Sequence, residues 1–256
     1  MSEYPNIQIS GSGKAAGGRC GQVHISGSGK IQGALICDEF HVSGAGKVED
    51  GGLTVLGPAA CSGACKVEGP FQAQSLRASG AFTVEGDAEI AETAEVSGTL
   101  KTEGSLQAKR FKVSGVCSAE HSIRATEVEI SGVLKTPADV QAETLRSSGA
   151  LQIDGLLNAE TVEIQLFGDN LVNNIGGGTV RVQKRAQGFS LFRAFKRPHL
   201  AATLIEADEI DLEYTDAQIV RGVNVRIGPE CVIDRVEFSG SLSTDPNCTV
   251  REKVKI

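Results

Sequence analysis

The sequence predicts an all-β fold, a parallel β-helix in which one short coil is copied and stacked. Three observations favour this fold class: a Ser-Gly pair that recurs at a nearly constant step of about 17 residues, alternating apolar residues before each pair, and repeats that lack helical spacing. The Ser-Gly pairs begin at Ser10, Ser26, Ser43, Ser62, Ser79, Ser97, Ser114, Ser131 and Ser148.

A short apolar strand precedes each Ser-Gly pair. Ile7 and Ile9 alternate with polar residues, as do Val23 and Ile25, which is the pattern of a half-buried strand. Two further apolar clusters follow in each repeat, so we predict three short strands per coil, with Gly, Asn or Asp at the bends. A single coil cannot bury its inward side chains, but stacked coils pair their strands in parallel and close a core. About ten coils are expected through Leu166.

One repeat is longer than its neighbours, with 19 residues between Ser43 and Ser62. We interpret the stretch PAACSGACK within it as a lengthened corner. The seven cysteines are odd in number and scattered, which favours reduced thiols over a disulfide framework. Cys20 and Cys37 lie one repeat apart and are expected to stack inside the coils, whereas His24 and His41, also one repeat apart, are expected to stack on the outside.

The regular step stops after Gly168, which divides the chain into three predicted regions. Residues 1–168 form the first stack of coils, residues 169–200 a Gly-rich, basic, Phe-rich insert or linker, and residues 201–256 about three more coils. These last coils either continue the first stack or form a second, shorter one.

The insert contains six residues that are candidates for contact with a membrane or a partner. Its Phe residues are spaced three apart, so one turn of helix would align them on one face with basic groups around the rim. Such a face suits an anionic membrane surface or a groove in another protein; alternatively, the rings cover a flank of the solenoid. The six residues are Phe189, Phe192, Phe195, Arg193, Lys196 and Arg197.

Charge and motifs argue against several classes of function. A net charge of −7 does not suit a nucleic-acid partner. No GxSxG, HExxH or phosphate-loop motif occurs, so we predict no catalytic residue, no metal and no cofactor, and a protein that is not an enzyme. The chain has no apolar run of about 20 residues and no signal sequence, which predicts a cytoplasmic protein.

An enzymatic alternative rests on the segment IVRGVNVRIGPECVI near the end of the chain. Its apolar residues lie near six-residue steps, which is similar to the left-handed β-helix of the hexapeptide acyltransferases. Those enzymes use a catalytic His, and His199 is the nearest one. The first 160 residues do not keep a six-residue step.

The Ser-Gly repeats, as in IQISGSGKAAGG and VHISGSGKIQGALICDEFHVSGAGKVEDG, resemble the bactofilins, polymer-forming cytoskeletal proteins of bacteria. The resemblance covers about residues 7–166. It implies a right-handed β-helix that joins end to end into nonpolar, nucleotide-independent filaments and acts as a scaffold for cell-envelope, cell-shape or motility machinery. Its implied partners are further copies of the chain, together with the inner face of the cell membrane or an envelope or motility protein.

Self-association also follows from strand edges. The terminal coils of a β-helix expose unpaired edges that another copy can complete. We therefore predict polymerisation ends at the first and last coils, where the apolar residues are Ile7, Ile9, Val250, Val254 and Ile256.

Overall fold

The computed structural model describes residues 4–184 and 198–256. These residues form an all-β parallel β-solenoid of about 14 turns, with about 17 residues per turn, and contain no helix. The predicted fold class is confirmed at this level. The chain divides into a first unit, Met1–Thr126, and a second unit, Glu127–Ile256, and each is described separately.

The first unit is built from short strands, two of which lie between each Ser-Gly corner and the next. They are β1 Ile7–Ile9, β2 Ser12–Arg19, β3 Gln22–Ile25, β4 Ser28–Cys37, β5 Glu39–Val42, β6 Ala45–Glu49, β7 Leu53–Cys61, β8 Ala64–Val67, β9 Phe71–Ala78, β10 Ala81–Val84, β11 Ala88–Val96, β12 Thr99–Thr102, β13 Leu106–Val113 and β14 Val116–Ala119. The unit boundary falls within β15, Ile123–Ile130.

The second unit has fewer and longer strands. They are β16 Val133–Thr136, β17 Val140–Ser147, β18 Ala150–Leu166, β19 Asp169–Lys184, β20 His199–Leu212, β21 Thr215–Ile227, β22 Val232–Thr244 and β23 Thr249–Lys255. From β18 onward each strand pairs in parallel with the next.

Each coil of the first unit has three sides, as predicted. The strand β10 pairs in register with β8 and β12, while β11 pairs with β9 and β13. The alternation of buried and exposed residues in β11 breaks at Ala91 and Glu92, which are both exposed, so this strand bends there and supplies two sides. The register shift at the same place reflects one residue more than in either neighbouring strand. Alternate residues point inward, and fully buried Phe side chains are spread along the core at Phe40, Phe71, Phe82 and Phe111.

The two inward residues that flank each Ser-Gly pair are close neighbours. We call the residue before the Ser and the third residue after it the corner pair. In one coil the corner pair is Val42 and Gly46, and a Cβ on Gly46 would lie 3.1 and 3.2 Å from the two Cγ atoms of Val42. In another it is Ala78 and Phe82, where the small residue precedes a fully buried ring. Large and small side chains therefore share the limited space inside each corner.

The extra residues of the long repeat lie elsewhere than predicted. The Ser62-Gly63 corner keeps the hydrogen bonds and the register of its neighbours. Relative to the preceding coil, one residue is added within residues 49–53 and another within residues 55–59. The first addition is accommodated by left-handed backbone at Asp50, with φ of 59°, and Gly52, with φ of 84°.

The stack of the second unit continues past Gly168, so the predicted insert does not begin at residue 169. Residues 169–184 form β19, which pairs with both β18 and β20. The Gly triplet in this strand is not a linker: a Cβ on Gly177 would overlap the carbonyl oxygen of Ala159, so the glycine permits close backbone packing. Residues 201–256 therefore continue the stack that contains β18 and β19.

Candidate functional site

The Ser-Gly pairs form a column of tight corners. The amides of Ser79 and Gly80 donate to the same carbonyl oxygen, that of Cys61 in the preceding coil, at 2.8 and 3.1 Å. This arrangement leaves no room for a side chain on the Gly, because a Cβ would overlap the carbonyl oxygen of the Gly one coil earlier. The same overlap occurs at Gly27, Gly44, Gly63, Gly80, Gly98, Gly115 and Gly149. The Gly of the Ser-Gly pair is thus a structural requirement of stacking.

Gly11, in the first coil, differs from these seven glycines. A Cβ on Gly11 would meet no atom within 4 Å, and the backbone there does not have positive φ. Neither packing within the described chain nor backbone conformation requires a glycine at this corner.

The first coil carries an open strand edge beside Gly11. Its strand β1 pairs with β3, and β2 pairs with β4, which leaves the opposite edges of β1 and β2 open within the described chain. Of the two apolar residues predicted here, Ile7 is half-buried and Ile9 is buried. This surface therefore presents unpaired backbone groups above a small apolar core.

The last coil has a different end. Val250 lies opposite Ile233 and is half-buried. Lys253 lies opposite the buried Val236, so a charged residue takes the last place in a row of inward-facing residues that are paired from coil to coil. Val254 lies opposite the carboxylate-bearing Glu237, and Ile256 is 65% exposed. Charged residues at inward positions are a common protection of strand edges, so the predicted apolar end at β23 is partly blocked by charge.

A ladder of ion pairs follows one outer side of the first unit. Lys47 Nζ lies 2.8 Å from a carboxylate oxygen of Glu49 and 2.7 Å from one of Glu68 in the next coil. Lys66 Nζ continues the ladder to Glu85, at 2.6 Å, and Lys30 Nζ reaches Glu49 at 3.3 Å. The hydrogen bond to Glu49, followed by that to Glu68, raises the pKa of Lys47.

This ladder was not predicted from the sequence. Its signal is the spacing Lys-Val-Glu at residues 47–49 and 66–68, which recurs one repeat apart and places both charges on the same outer side of successive coils. Lys14, in the same column of the first coil, has no acidic partner within the described residues.

The two stacked histidines are confirmed. The rings of His24 and His41 are parallel within 1°, with centroids 4.9 Å apart, and both residues are exposed. Over the part of the chain that the structure describes, no three His, Cys, Asp or Glu side chains are grouped to hold a metal ion. All six candidate contact residues of the insert, from Phe189 to Arg197, fall in residues 185–197 and lie outside the described residues.

A cavity of about 740 Å³ lies in the second unit beside His199. Its walls include Leu151, Leu171 and Ala201. His199 Nε2 lies 3.0 Å from a carboxylate oxygen of Asp216. A His paired with a carboxylate is an arrangement that can move a proton.

The cysteines are all free, and six of the seven are buried. Cys20 and Cys37 are buried neighbours as predicted, and burial raises the pKa of Cys37 to about 12. Cys61 and Cys65 form the corner pair at Ser62-Gly63, so the two thiols face one another inside one corner. From the sequence, these two residues were assigned only to the lengthened corner PAACSGACK.

Comparison with known proteins adds two relatives. The chain is 41% identical over 85 residues to the uncharacterized protein YhbF of Bacillus subtilis (strain 168). This match covers 33% of this chain and 34% of that protein. It is 39% identical over 89 residues to the uncharacterized protein YhbE of the same organism, with 35% of this chain and 38% of the relative covered. The matches span only about a third of the relatives' lengths.

No family model matches the chain. No solved structure matches it. Among residues 4–184 and 198–256 there is no apolar helix of membrane-spanning length.

Proposed function

We propose that this protein is a non-enzymatic, bactofilin-like cytoskeletal scaffold that assembles end to end into filaments without nucleotide. The coils are proposed to be right-handed, in keeping with the resemblance of the repeats. The protein is cytoplasmic in this proposal, and its filaments serve cell-envelope, cell-shape or motility machinery.

Gly11 carries the proposal. Seven glycines in later coils of the Ser-Gly column lack space for a Cβ, whereas Gly11 has space and no positive φ. A second copy that pairs with the open edges of β1 and β2 at the usual strand spacing of about 4.8 Å would bring its backbone to this empty position. Glycine is then required at residue 11 for the same reason as inside the stack, because a Cβ there would overlap the backbone of the neighbouring coil.

The test is self-association of the wild type and two glycine variants. We expect the wild type to form filaments at micromolar concentration in negative-stain microscopy and large species in sedimentation velocity. Gly11→Ala is expected to remain a small species and, at concentrations too low for assembly, to unfold at the same temperature as the wild type. Gly168→Ala is the matched control, since its Cβ also meets nothing within 4 Å and its φ is not positive.

Two results count against the proposal. A wild type that stays monomeric at all concentrations would exclude assembly. Assembly of Gly11→Ala equal to that of the wild type would exclude the first coil as the assembly surface.

The basic, Phe-rich residues of the insert provide peripheral membrane contact in this proposal. The sequence places Phe189, Phe192 and Phe195 among Arg193, Lys196 and Arg197, a composition that suits an anionic lipid surface. Flotation with anionic liposomes should recover the wild type better than a triple Phe→Ser variant. Equal recovery of the two would remove this part of the proposal.

A second candidate function, acyl transfer, is favoured by one observation, the His199–Asp216 pair beside the cavity. In this alternative His199 accepts a proton from the acyl acceptor while the neighbouring cavity holds part of the substrate. Calorimetric titration with acetyl-CoA tests it. Binding by the wild type and transfer lost in His199→Asn would support the enzyme; no heat of binding would dismiss it.

A further inference from the structure

Two cysteines occupy a corner pair in the first unit. Cys61 ends β7 and Cys65 lies in β8, with the Ser62-Gly63 corner between them. Their side chains are 1% and 3% exposed, respectively. Both residues face the same small interior space, because both corner-pair positions point inward.

The spacing of the corner pair matches the geometry of a disulfide. In the preceding coil, a Cβ at the second corner position would lie 3.1 and 3.2 Å from the Cγ atoms of Val42 at the first position. One coil earlier, a Cβ on Gly29 would lie 2.9 Å from Cγ2 of Ile25. A sulfur replaces the Cγ atom in Cys61. An S–S bond of about 2.04 Å holds each sulfur about 3 Å from the partner's Cβ.

The two thiols also differ in their chemistry. A hydrogen bond from the Cys65 thiol lowers the pKa of Cys61 against the opposing effect of burial, and a backbone hydrogen bond at Gly63 lowers it further. The same interaction, followed by burial, raises the pKa of Cys65. The Cys61 thiol also donates to the carbonyl oxygens of Gly63 and Ala81, at 3.4 and 3.6 Å, which favours its protonated form. Relative to Cys65, whose pKa is raised, Cys61 is still the thiol that ionises more readily, and the thiolate is the reactive form of cysteine.

We propose that Cys61 and Cys65 are an oxidative modification site at which a small hydroperoxide forms an intramolecular disulfide. The Cys61 thiolate attacks one peroxide oxygen, which forms an S–O bond, breaks the O–O bond and releases hydroxide. The Cys65 sulfur then attacks the Cys61 sulfur, forms the S–S bond and expels hydroxide. With the two thiol protons, two thiols and one hydrogen peroxide become one disulfide and two waters. Burial restricts the oxidant to a molecule near the size of water.

Cys20 and Cys37 provide an internal comparison. They are also buried neighbours, but they lie on successive coils and do not flank one corner; the amide of Cys20 donates to the carbonyl oxygen of Ile36 at 2.9 Å. Their thiols also share a hydrogen bond, but burial is the larger effect and raises the pKa of both. This pair should stay reduced under conditions that oxidise Cys61 and Cys65.

Peptide mass spectrometry of the full-length wild type is the primary test. Folded protein is exposed to hydrogen peroxide, unfolded, alkylated and cleaved with trypsin. The peptide of residues 48–66 contains Cys61 and Cys65 and no other cysteine. We expect it to be lighter by two hydrogens and to carry no alkyl group. Full alkylation of this peptide, or equally rapid linkage of Cys20 to Cys37, would overturn the proposal.

Two further measurements separate the role of the fold from simple proximity in sequence. Wild type unfolded in urea should form the disulfide more slowly than folded protein, and equal rates would contradict the proposal. In Cys65→Ser, Cys61 should accumulate as a sulfenic acid, which dimedone traps once the oxidised protein is unfolded, whereas Cys61→Ser treated in the same way should show no adduct at Cys65. Dimedone adducts at Cys65 rather than Cys61 would reverse the assigned roles and refute the mechanism.

Discussion

Substitution of Gly80 by Ala tests the physical account of the Ser-Gly column. The new Cβ would overlap the carbonyl oxygen of Gly63 and lie 2.5 Å from that of Ser62, so the two corners must separate. Separation weakens three backbone hydrogen bonds, donated by residues 79, 80 and 81 at 2.8, 3.1 and 2.9 Å. Each contributes about 0.5–1.5 kcal/mol, and overpacking adds about 1–3 kcal/mol.

Alanine also restricts the unfolded chain, which offsets about 0.4–1 kcal/mol of this loss. The net expectation is a loss of about 1.5–7 kcal/mol, centred near about 4 kcal/mol, in the free energy of unfolding, measured by urea denaturation with far-UV circular dichroism. Gly11→Ala, at the same corner position with open space around it, should change stability by less than about 0.5 kcal/mol. The reasoning fails if Gly80→Ala loses less than about 1 kcal/mol or if both variants lose equally.

Three other predictions concern the ladder, the core and the thiols. Lys47→Met should lower the melting temperature at neutral pH, because Lys47 lowers the pKa of the two carboxyls that it bridges, those of Glu49 and Glu68. The stabilisation by Lys47 is therefore present above the ordinary pKa of these carboxyls and is lost as the pH falls through the lowered values. Lys14→Met, at a lysine without an acidic partner in the described chain, is the control, and an identical pH profile for both variants would contradict the ladder. Phe82→Ala should cost about 3–5 kcal/mol in urea denaturation, because Phe82 is 1% exposed and packs edge-on against another ring; a smaller cost than about 1 kcal/mol would argue against a tightly packed core there. Burial raises the pKa of Cys117 to about 12, so iodoacetamide at pH 8 should label the half-buried Cys248 well before it, as judged by peptide mass spectrometry, and the reverse order would refute the burial of Cys117.

The repeat made much of the fold predictable. Apolar residues that alternate along a strand, such as Val23 and Ile25, can be buried in every repeat in only one strand register. The constant repeat step allows the coils to stack in that register. His24 and His41 could be placed side by side for the same reason, since one repeat separates them. The corner-pair thiols could have been found in the same way, because residues 61 and 65 both fall at inward positions.

The main error arose where one sequence signal has two physical causes. The Gly triplet in residues 176–178 reads as a turn or linker, since glycine is favoured wherever the backbone needs freedom. In the structure these residues lie within β19, and at Gly177 glycine is needed because the backbone of β18 approaches too closely for a Cβ. Local composition cannot distinguish the two causes, because the close approach involves a strand 18 residues earlier.

The repeated coil, its strands and the direction in which each side chain points follow from the amino-acid pattern alone, because these depend on a period of two within strands and on the repeat step. Three properties became visible only in the folded protein: which carboxylate each Lys of the ladder contacts, that Lys253 in the last coil lies opposite the buried Val236, and that Gly11 has an empty Cβ position. The reason is that these properties depend on distances between coils, and an end of a stack differs from its interior only in three dimensions.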